Sequence, residues 1–171
     1  MATKHHNISG ELTTELLAPG DNVTTASVSL ANVHGSQTVS IDLFIQKPLT
    51  GKFYLFKNLS LPAGASYVYN PNFSNREGEF GLYIKLKEAN TFTLTGSINP
   101  TDSSTVVTGT TTLFLTELTV GDEIVVTGET RTVESITNNT TLGINLTFST
   151  SLGTDSDPEC NPVGLVDVII S

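Results

Sequence analysis

The strongest constraint on the fold is an alternation of apolar and polar residues that recurs along the chain. In VSIDLFIQK, the apolar residues Val39, Ile41, Leu43 and Ile45 share one side of an extended segment, and Asp42 lies on the other. The segments NVTTASVSLANVHG, KFYLFKNLSL, EFGLYIKLKE and TFTLTGSI repeat this period, with turns such as KPLTGK and PAGAS between them. A period of two is typical of strands with one buried face. We therefore predict an all-β protein built on an antiparallel β-sandwich.

Residues 101–157 differ in composition from the segment before them. They contain 17 Thr and no Lys, Pro or Tyr. VTGET and TNNTT each predict a tight turn. This segment is predicted to form a small β-module with strands near 105–108, 112–116, 122–127, 130–136 and 141–148.

The C-terminal sequence GLVDVIIS follows the turn-rich stretch GTDSDPECNPV. It is either the last strand of the small module or a strand that returns to the first domain after an insertion. Apolar residues on both of its sides favour a sheet with a large core, and the first domain has the larger one. We predict a first domain of 1–100 completed by 158–171, with the acidic, Thr-rich module 101–157 inserted before the last strand. The strand Val166–Ser171 is then expected near Phe92–Ile98.

The charge distribution separates the same two regions. The net charge is −9, and residues 1–100 carry seven basic and seven acidic residues, whereas 101–157 carry eight acids and only Arg131. No basic patch indicates a nucleic-acid partner, and no apolar run is long enough to predict a membrane span. The single Cys160 excludes an intrachain disulfide framework. MATKHHNISG lacks the apolar core of a secretory signal, which predicts assembly in a cytoplasm.

Catalytic motifs do not stand out in the sequence. There is no G-x-S-x-G, no Walker A motif and no Cys/His pair suited to nucleophilic catalysis. The acids Asp122, Glu123, Glu77 and Glu79 could form carboxylate pairs, but acids alternating on exposed strands explain them better, and the chain has no Trp for a sugar cleft. His34 is predicted to cap its turn by hydrogen bonding. The sequence thus predicts a non-enzymatic protein without catalytic residues or cofactor.

The segment DSDPE alternates carboxylates as a calcium loop does. Asp155, Asp157 and Glu159 would be its first three ligands. The sixth position is Cys160 where glycine is needed, and the twelfth is Val166 where a bidentate Glu is needed. We interpret the segment as a solvated linker and predict no metal site.

Longer stretches resemble a known family. VSLANVHGSQTVSIDLFIQKPLTGKFYLFKNLSLPAGASYVYN, followed by LYIKLK and a closing VDVIIS, is similar to a module of tailed-phage virion proteins, especially of phages that infect marine bacteria and cyanobacteria. The Thr-rich segment resembles a hairpin element that recurs in phage structural proteins. The resemblance implies a structural component of the virion, assembled in the host cytoplasm.

The resemblance also implies function and partners. It favours capsid decoration or stabilisation, with the major capsid protein or other virion proteins as partners and a homo-oligomeric state. A neck, tail or fibre component and a carbohydrate-binding, host-adhesion module are the alternatives. A cluster of aromatic residues is expected to form either a docking surface or the second face of the sandwich. Its members are Tyr54, Phe56, Tyr67, Tyr69 and Phe73.

Overall fold

The protein is almost entirely β, with antiparallel pairing between the strands of its sheets. The computed structural model describes residues 3–21, 23–74, 80–87, 91–149 and 152–171. The chain divides into two compact units, Met1–Glu88 with Gly164–Ser171 and Ala89–Val163. The second unit is therefore one continuous segment that interrupts the sequence of the first.

The first unit contains two four-stranded sheets and a two-stranded ribbon. The sheet orders are β1-β17-β4-β7 and β2-β9-β5-β6, and the ribbon pairs β3 with β8. The strands are β1 (Lys4–Ser9), β2 (Thr13–Leu17), β3 (Thr24–Thr25), β4 (Val28–Asn32), β5 (Val39–Gln46), β6 (Phe53–Leu61), β7 (Ser66–Tyr69), β8 (Phe73–Ser74), β9 (Gly81–Lys87) and β17 (Leu165–Ile170).

The C-terminal strand β17 lies inside the first of these sheets. It pairs with β1 in the register Ile8↔Val166 and with β4 in the register Asn32↔Val166. Both of its backbone edges are thus hydrogen-bonded within the first unit. The expected neighbour, the Phe92–Ile98 segment, is not its partner and belongs to the second unit.

One core joins the two four-stranded sheets of the first unit. Alternate residues of the paired strands face it, as period-two burial requires. Its buried members come from both sheets, and they are Ile8, Leu16, Leu17, Val28, Leu30, Val39, Ile41, Leu43, Leu61, Leu82, Ile84, Leu86, Val166, Val168 and Ile170.

The second unit is a seven-stranded antiparallel sheet in the order β10-β16-β13-β14-β15-β12-β11. Its elements are β10 (Phe92–Thr93), β11 (Ser97–Asn99), β12 (Val106–Thr110), α1 (Phe114–Glu117), β13 (Glu123–Val126), β14 (Glu129–Asn138), β15 (Thr141–Ile144) and β16 (Glu159–Asn161). Its separate core is formed by Leu94, Ile98, Val107, Phe114, Leu118, Ile124, Val126, Val133, Leu142, Ile144, Phe148 and Cys160.

The limits of the second unit differ from the predicted 101–157. The segment from Phe92 to Asn99 was assigned to the first domain, but its strands pair with β16 and β12. The stretch before β17 was expected to be a linker, yet Leu94 N donates to Pro158 O at 2.7 Å and Cys160 is fully buried. Alternation reveals that a segment is a strand, but it does not say which of two sheets the strand joins.

A short helical turn replaces the strand expected at 112–116. The backbone hydrogen bonds from Glu117 N to Leu113 O (3.0 Å) and from Leu118 N to Phe114 O (3.1 Å) define the turn, which buries Phe114 completely and leaves Leu113 and Leu115 exposed. The turn is fixed by Asn139, whose backbone oxygen accepts Phe114 N (3.2 Å) and whose side chain accepts Leu115 N (3.1 Å). Among the described residues, no helix is long and apolar enough to cross a membrane.

Candidate functional site

Three of the five predicted interface aromatics meet along one edge of the first unit. Phe56 on β6 makes edge-to-face contacts with Tyr67 (ring centroids 6.0 Å apart) and Tyr69 (5.6 Å) on β7. β6 and β7 are the end strands of the two four-stranded sheets. These rings, which we call the aromatic edge, therefore connect the sheets, and such pairs contribute about 0.5–1.5 kcal/mol each beyond burial.

The five aromatics divide between packing and exposure. Phe56, Tyr69 and Phe73 are half-buried and pack against the core of the first unit. Tyr67 remains 38% exposed and Tyr54 42% exposed. Three members of the cluster thus fill the border of the core, and the two tyrosines Tyr54 and Tyr67 are left exposed.

Tyr54 belongs to a different group, on the outward side of the sheet β2-β9-β5-β6. Its ring lies 5.6 Å from that of Phe44, which stacks on Tyr83 at 5.8 Å. Phe44 and Tyr83 were not among the predicted interface residues. The alternation in the sequence could have placed Phe44 on the outward side of the sheet, because Phe44 alternates with the inward-facing Leu43 and Ile45 and so shares its face with Asp42.

Lysines cover these rings. Lys52 Nζ lies 4.3 Å from the centroid of Phe44, and Lys57 Nζ lies 5.0 Å from that of Tyr54. Such cation–π contacts hold an ammonium group over the ring face. Lys85 lies on the same side of the sheet, because it stands opposite Asp42 in the register of β5 with β9 and alternates with buried residues of β9. We call this surface the lysine face: Lys52, Lys57, Lys85 and Lys87 with Phe44, Tyr54 and Tyr83.

Two acids are built into the lysine face. Asp42 is only 4% exposed, accepts Asn58 N at 2.7 Å and lies 3.4 Å from Lys87 Nζ. Asn58 has a φ of 56° at a β-bulge between β5 and β6, so the carboxylate accepts an N–H that the ladder leaves unpaired. Tyr83 donates to Glu15 Oε2 at 2.9 Å, and burial first and this carboxylate second raise the pKa of Tyr83.

The Asn-x-His turn holds together by its own side chains. Asn32 Nδ2 donates to Gln37 O and Leu61 O, both at 2.8 Å, and its Oδ1 accepts His34 N at 3.0 Å. His34 Nδ1 accepts Ser36 N at 3.2 Å and Gln37 N at 2.9 Å. The predicted capping role of His34 is confirmed.

The same turn is bonded to the Pro-Ala-Gly turn further along the chain. Asn32 N donates to Ala65 O at 3.0 Å, and Gly64 N donates to Asn32 O at 3.1 Å. Asn32 also pairs with Val166 of the closing strand. Three separated stretches of the sequence, N-x-H, P-A-G and V-D-V-I-I-S, thus form one hydrogen-bonded framework.

The second unit has an acidic outward surface on the sheet β10-β16-β13-β14. Glu123 alternates with the buried Ile124, and Glu159 precedes the buried Cys160 and pairs with Val125. Glu134 is exposed next to the buried Val133. We call Glu123, Glu134 and Glu159, with their threonine neighbours Thr93, Thr130 and Thr132, the acidic face.

The basic residue of the second unit, Arg131, does not neutralise this surface. Its Nε donates to Leu146 O and Thr147 O, and its guanidinium lies 4.9 Å from the centroid of Phe148. It also pairs with Glu129, and hydrogen bonds from Ser149 first and from Arg131 second lower the pKa of Glu129. The cation therefore fastens the segment after β15 to β14.

The acids considered as calcium ligands serve turns. Asp155 Oδ2 accepts Thr127 N at 2.6 Å, and its Oδ1 accepts Asp157 N at 3.0 Å. Glu159 lies in β16. Within the described ranges, no group of three or more His, Cys, Asp or Glu residues is arranged to hold a metal ion.

In the acid pair Asp122-Glu123, Asp122 is buried and Glu123 belongs to the acidic face. Asp122 is 1% exposed and accepts Thr119 N at 2.8 Å and Val163 N at 3.0 Å, so its oxygens are directed to the backbone and away from solvent. Burial first, then Asp122 and Glu117, raises the pKa of the Cys160 thiol, which keeps it protonated. Glu77 and Glu79 lie outside the described residues.

Comparison with known proteins adds no relative: no protein-family profile, curated protein or solved structure matches the chain.

Proposed function

We propose that the chain is a non-enzymatic structural protein of a tailed-phage particle, most favourably one that decorates and stabilises the capsid. The observation that carries the proposal is the framework around Asn32. The residues that resemble the virion module are scattered over the sequence, but they bond to one another in the first unit. Their order in the sequence thus has a physical reason, which supports treating the likeness as a shared module with its last strand displaced by an insertion.

Docking on the particle is assigned to the first unit, through its aromatic edge. Tyr67 is exposed and rests edge-on against Phe56, which packs on the core. An exposed ring with a fixed orientation is a favourable anchor, because little side-chain freedom is lost on binding. Many copies, each burying such a modest patch on the assembled shell, would stabilise the particle by binding the assembled state preferentially.

The copy number on purified particles tests this proposal. Quantitative mass spectrometry against the major capsid protein should find hundreds of copies. Five, six or twelve copies would favour the alternative, a neck, tail or fibre component. Absence from purified particles would overturn the virion proposal as a whole.

The docking surface is tested with two matched variants. Tyr67→Ser should reduce binding of the purified protein to particles at least tenfold. Val68→Ser, at the neighbouring and 58% exposed position on the opposite side of β7, should leave binding unchanged. Equal binding by both variants would remove the aromatic edge from the contact.

A carbohydrate-binding or host-adhesion module is the second candidate, because the exposed rings of Tyr54 and Tyr67 could stack on sugars. A glycan array probed with the whole chain tests this second function. Saturable binding that Tyr54→Ala or Tyr67→Ala abolishes would favour adhesion over decoration.

A further inference from the structure

We propose that the lysine face of one copy binds the acidic face of a second copy. The proposal goes beyond the function above, since it concerns the contact between copies and names both surfaces. The two faces carry opposite charges. The lysine face has four lysines together with Glu15 and the buried, Lys87-paired Asp42, whereas the acidic face has Glu123, Glu134 and Glu159 in a segment, 89–163, whose basic residue is Arg131. Complementary surfaces of this kind are therefore present on every molecule in equal number.

Two lysines of the lysine face are held in place by aromatic rings. Lys52 and Lys57 are exposed residues whose ammonium groups rest on Phe44 and Tyr54. Immobilising a free lysine at an interface costs conformational entropy, and part of this cost is already met when a ring holds the side chain. The face thus presents cations at defined places, opposite in charge to carboxylates that are carried on strands.

The acidic face receives no charge compensation from Arg131. Glu123 and Glu159 extend from neighbouring strands, β13 and β16, where Glu123 pairs with Asn161 and Glu159 with Val125. The one guanidinium of the second unit is occupied by Phe148, Glu129 and backbone oxygens. A lysine face on a second copy can therefore supply cations that the acidic face does not receive from Arg131.

The contact joins two different surfaces and is heterologous. Such contacts generate closed rings where the rotation closes, and open chains where it does not. Because the attraction is electrostatic and at the surface, salt should weaken it.

Sedimentation velocity of the whole chain tests the proposal. Between about 5 and 200 µM protein, the mean mass should rise above the 18.2 kDa monomer at about 20 mM salt and return to it at about 500 mM salt. A wild-type chain that stays monomeric over this range at low salt would overturn the proposal.

Two charge-reversed variants test the surfaces. Variant A carries Lys52→Glu and Lys57→Glu, and variant B carries Glu123→Lys and Glu159→Lys. Each reversal changes the charge by two, so the net charge moves from −9 to −13 in A and to −5 in B. Each variant alone should be monomeric, and an equimolar mixture should associate, because the reversed face of A fits that of B. Both variants remain net negative, so general attraction cannot explain association of the mixture.

A matched control has Asp102→Lys and Glu117→Lys, which also gives −5 but leaves the acidic face intact. It should associate at least as well as the wild type, whereas B should not. Circular dichroism and thermal melting confirm that each variant is folded. If B and the control behave alike, or if the mixture of A and B stays monomeric, the assignment is wrong. Copy number on particles is measured separately, so failure here is distinguishable from failure of the virion proposal.

Discussion

The first unit carries lysines on the outside of a sheet, whereas the second unit turns its arginine inward. Lys52 and Lys57 rest on rings at the surface, while Arg131 is held by Phe148 and by the backbone of 146–147. The same cation–π contact thus has two uses. In the first unit it orders charges that remain accessible, and in the second it secures the segment after β15 to β14, where Arg131 also pairs with Glu129.

The largest expected effect comes from the strand that belongs to one unit but follows the other in sequence. Removing Gly164–Ser171 takes Val166, Val168 and Ile170 from the core and leaves β1 and β4 without their shared partner. Each buried aliphatic side chain contributes about 1.5–3 kcal/mol, so the loss approaches the whole stability of a small domain. We expect the first unit to unfold.

Hydrogen exchange of β1 and β4 amides measures this loss. The control replaces 89–163 by a short Gly-Ser turn and keeps β17. It should retain protection in both strands. Native protection in a chain truncated after Val163 would contradict the role given to β17.

The next effect compares the buried carboxylates of the two units. Asp122→Ala leaves the N–H groups of Thr119 and Val163 without their acceptor, and we expect a loss of about 3 kcal/mol in the second unit. Asp42→Ala removes the acceptor of Asn58 N and the ion-pair partner of Lys87, but water reaches both of these residues, so the loss should be about 1 kcal/mol in the first unit. Urea unfolding, followed by exchange of amides in each unit, measures both. Equal losses would mean that solvent access does not separate the two sites.

A smaller effect separates the inward cation from the outward ones. Arg131→Met removes donors to Leu146 O and Thr147 O and should destabilise the second unit by about 1–2 kcal/mol. Arg131→Lys should recover little of this stability, since an ammonium group cannot reproduce the planar set of N–H donors of a guanidinium. Lys57→Met should stay within about 0.5 kcal/mol. Thermal denaturation compares the three, and a large effect at Lys57 would show that the lysine face is needed for folding.

The smallest effect concerns left-handed backbone. Among the described non-glycine residues, the first unit has Leu49, Asn58 and Asn72 at positive φ, and the second has Thr111 and Thr127. Threonine is branched at Cβ and tolerates this region poorly, while asparagine tolerates it well. Thr127 precedes Gly128 in the two-residue turn between β13 and β14, so Thr127→Asn should stabilise the second unit by about 0.5 kcal/mol. A lower melting temperature would show that the bond from Thr127 Oγ1 to Val126 O matters more than the backbone.

The sequence predicted the strands where alternation was regular. β5 and β9 follow the predicted inward residues, and the turn in VTGET is confirmed by the pairing of Val126 with Glu129. The period of two failed where the tertiary setting decides. Asp42 occupies a polar position but is buried, because a bulge brings Asn58 N to its carboxylate. Phe114 is buried by a helical turn that the alternation of its neighbours conceals.

The candidate surfaces were predicted only in part. Tyr54 and Tyr67, which are exposed, could be chosen as candidates because aromatic residues are conspicuous in a sequence. The lysines that cover the rings were not, since Lys52 lies eight positions from Phe44 and only the pairing of β5 with β6 brings them together. Residue type indicates that a side chain can take part in a contact, but sheet register decides which side chains share a surface.

Gly164, where the chain re-enters the first unit, carries a consequence for exchange of parts. A Cβ at this position would lie 3.0 Å from Val39 Cγ2 and 3.5 Å from Leu86 Cβ. The re-entry point is therefore packed directly against β9, the strand after which the chain leaves. A domain in which the chain leaves and re-enters at neighbouring points tolerates the insertion of a segment whose own ends lie close together. The first unit is thus a scaffold in which the segment 89–163 can be exchanged for another segment without moving the strands on either side of it.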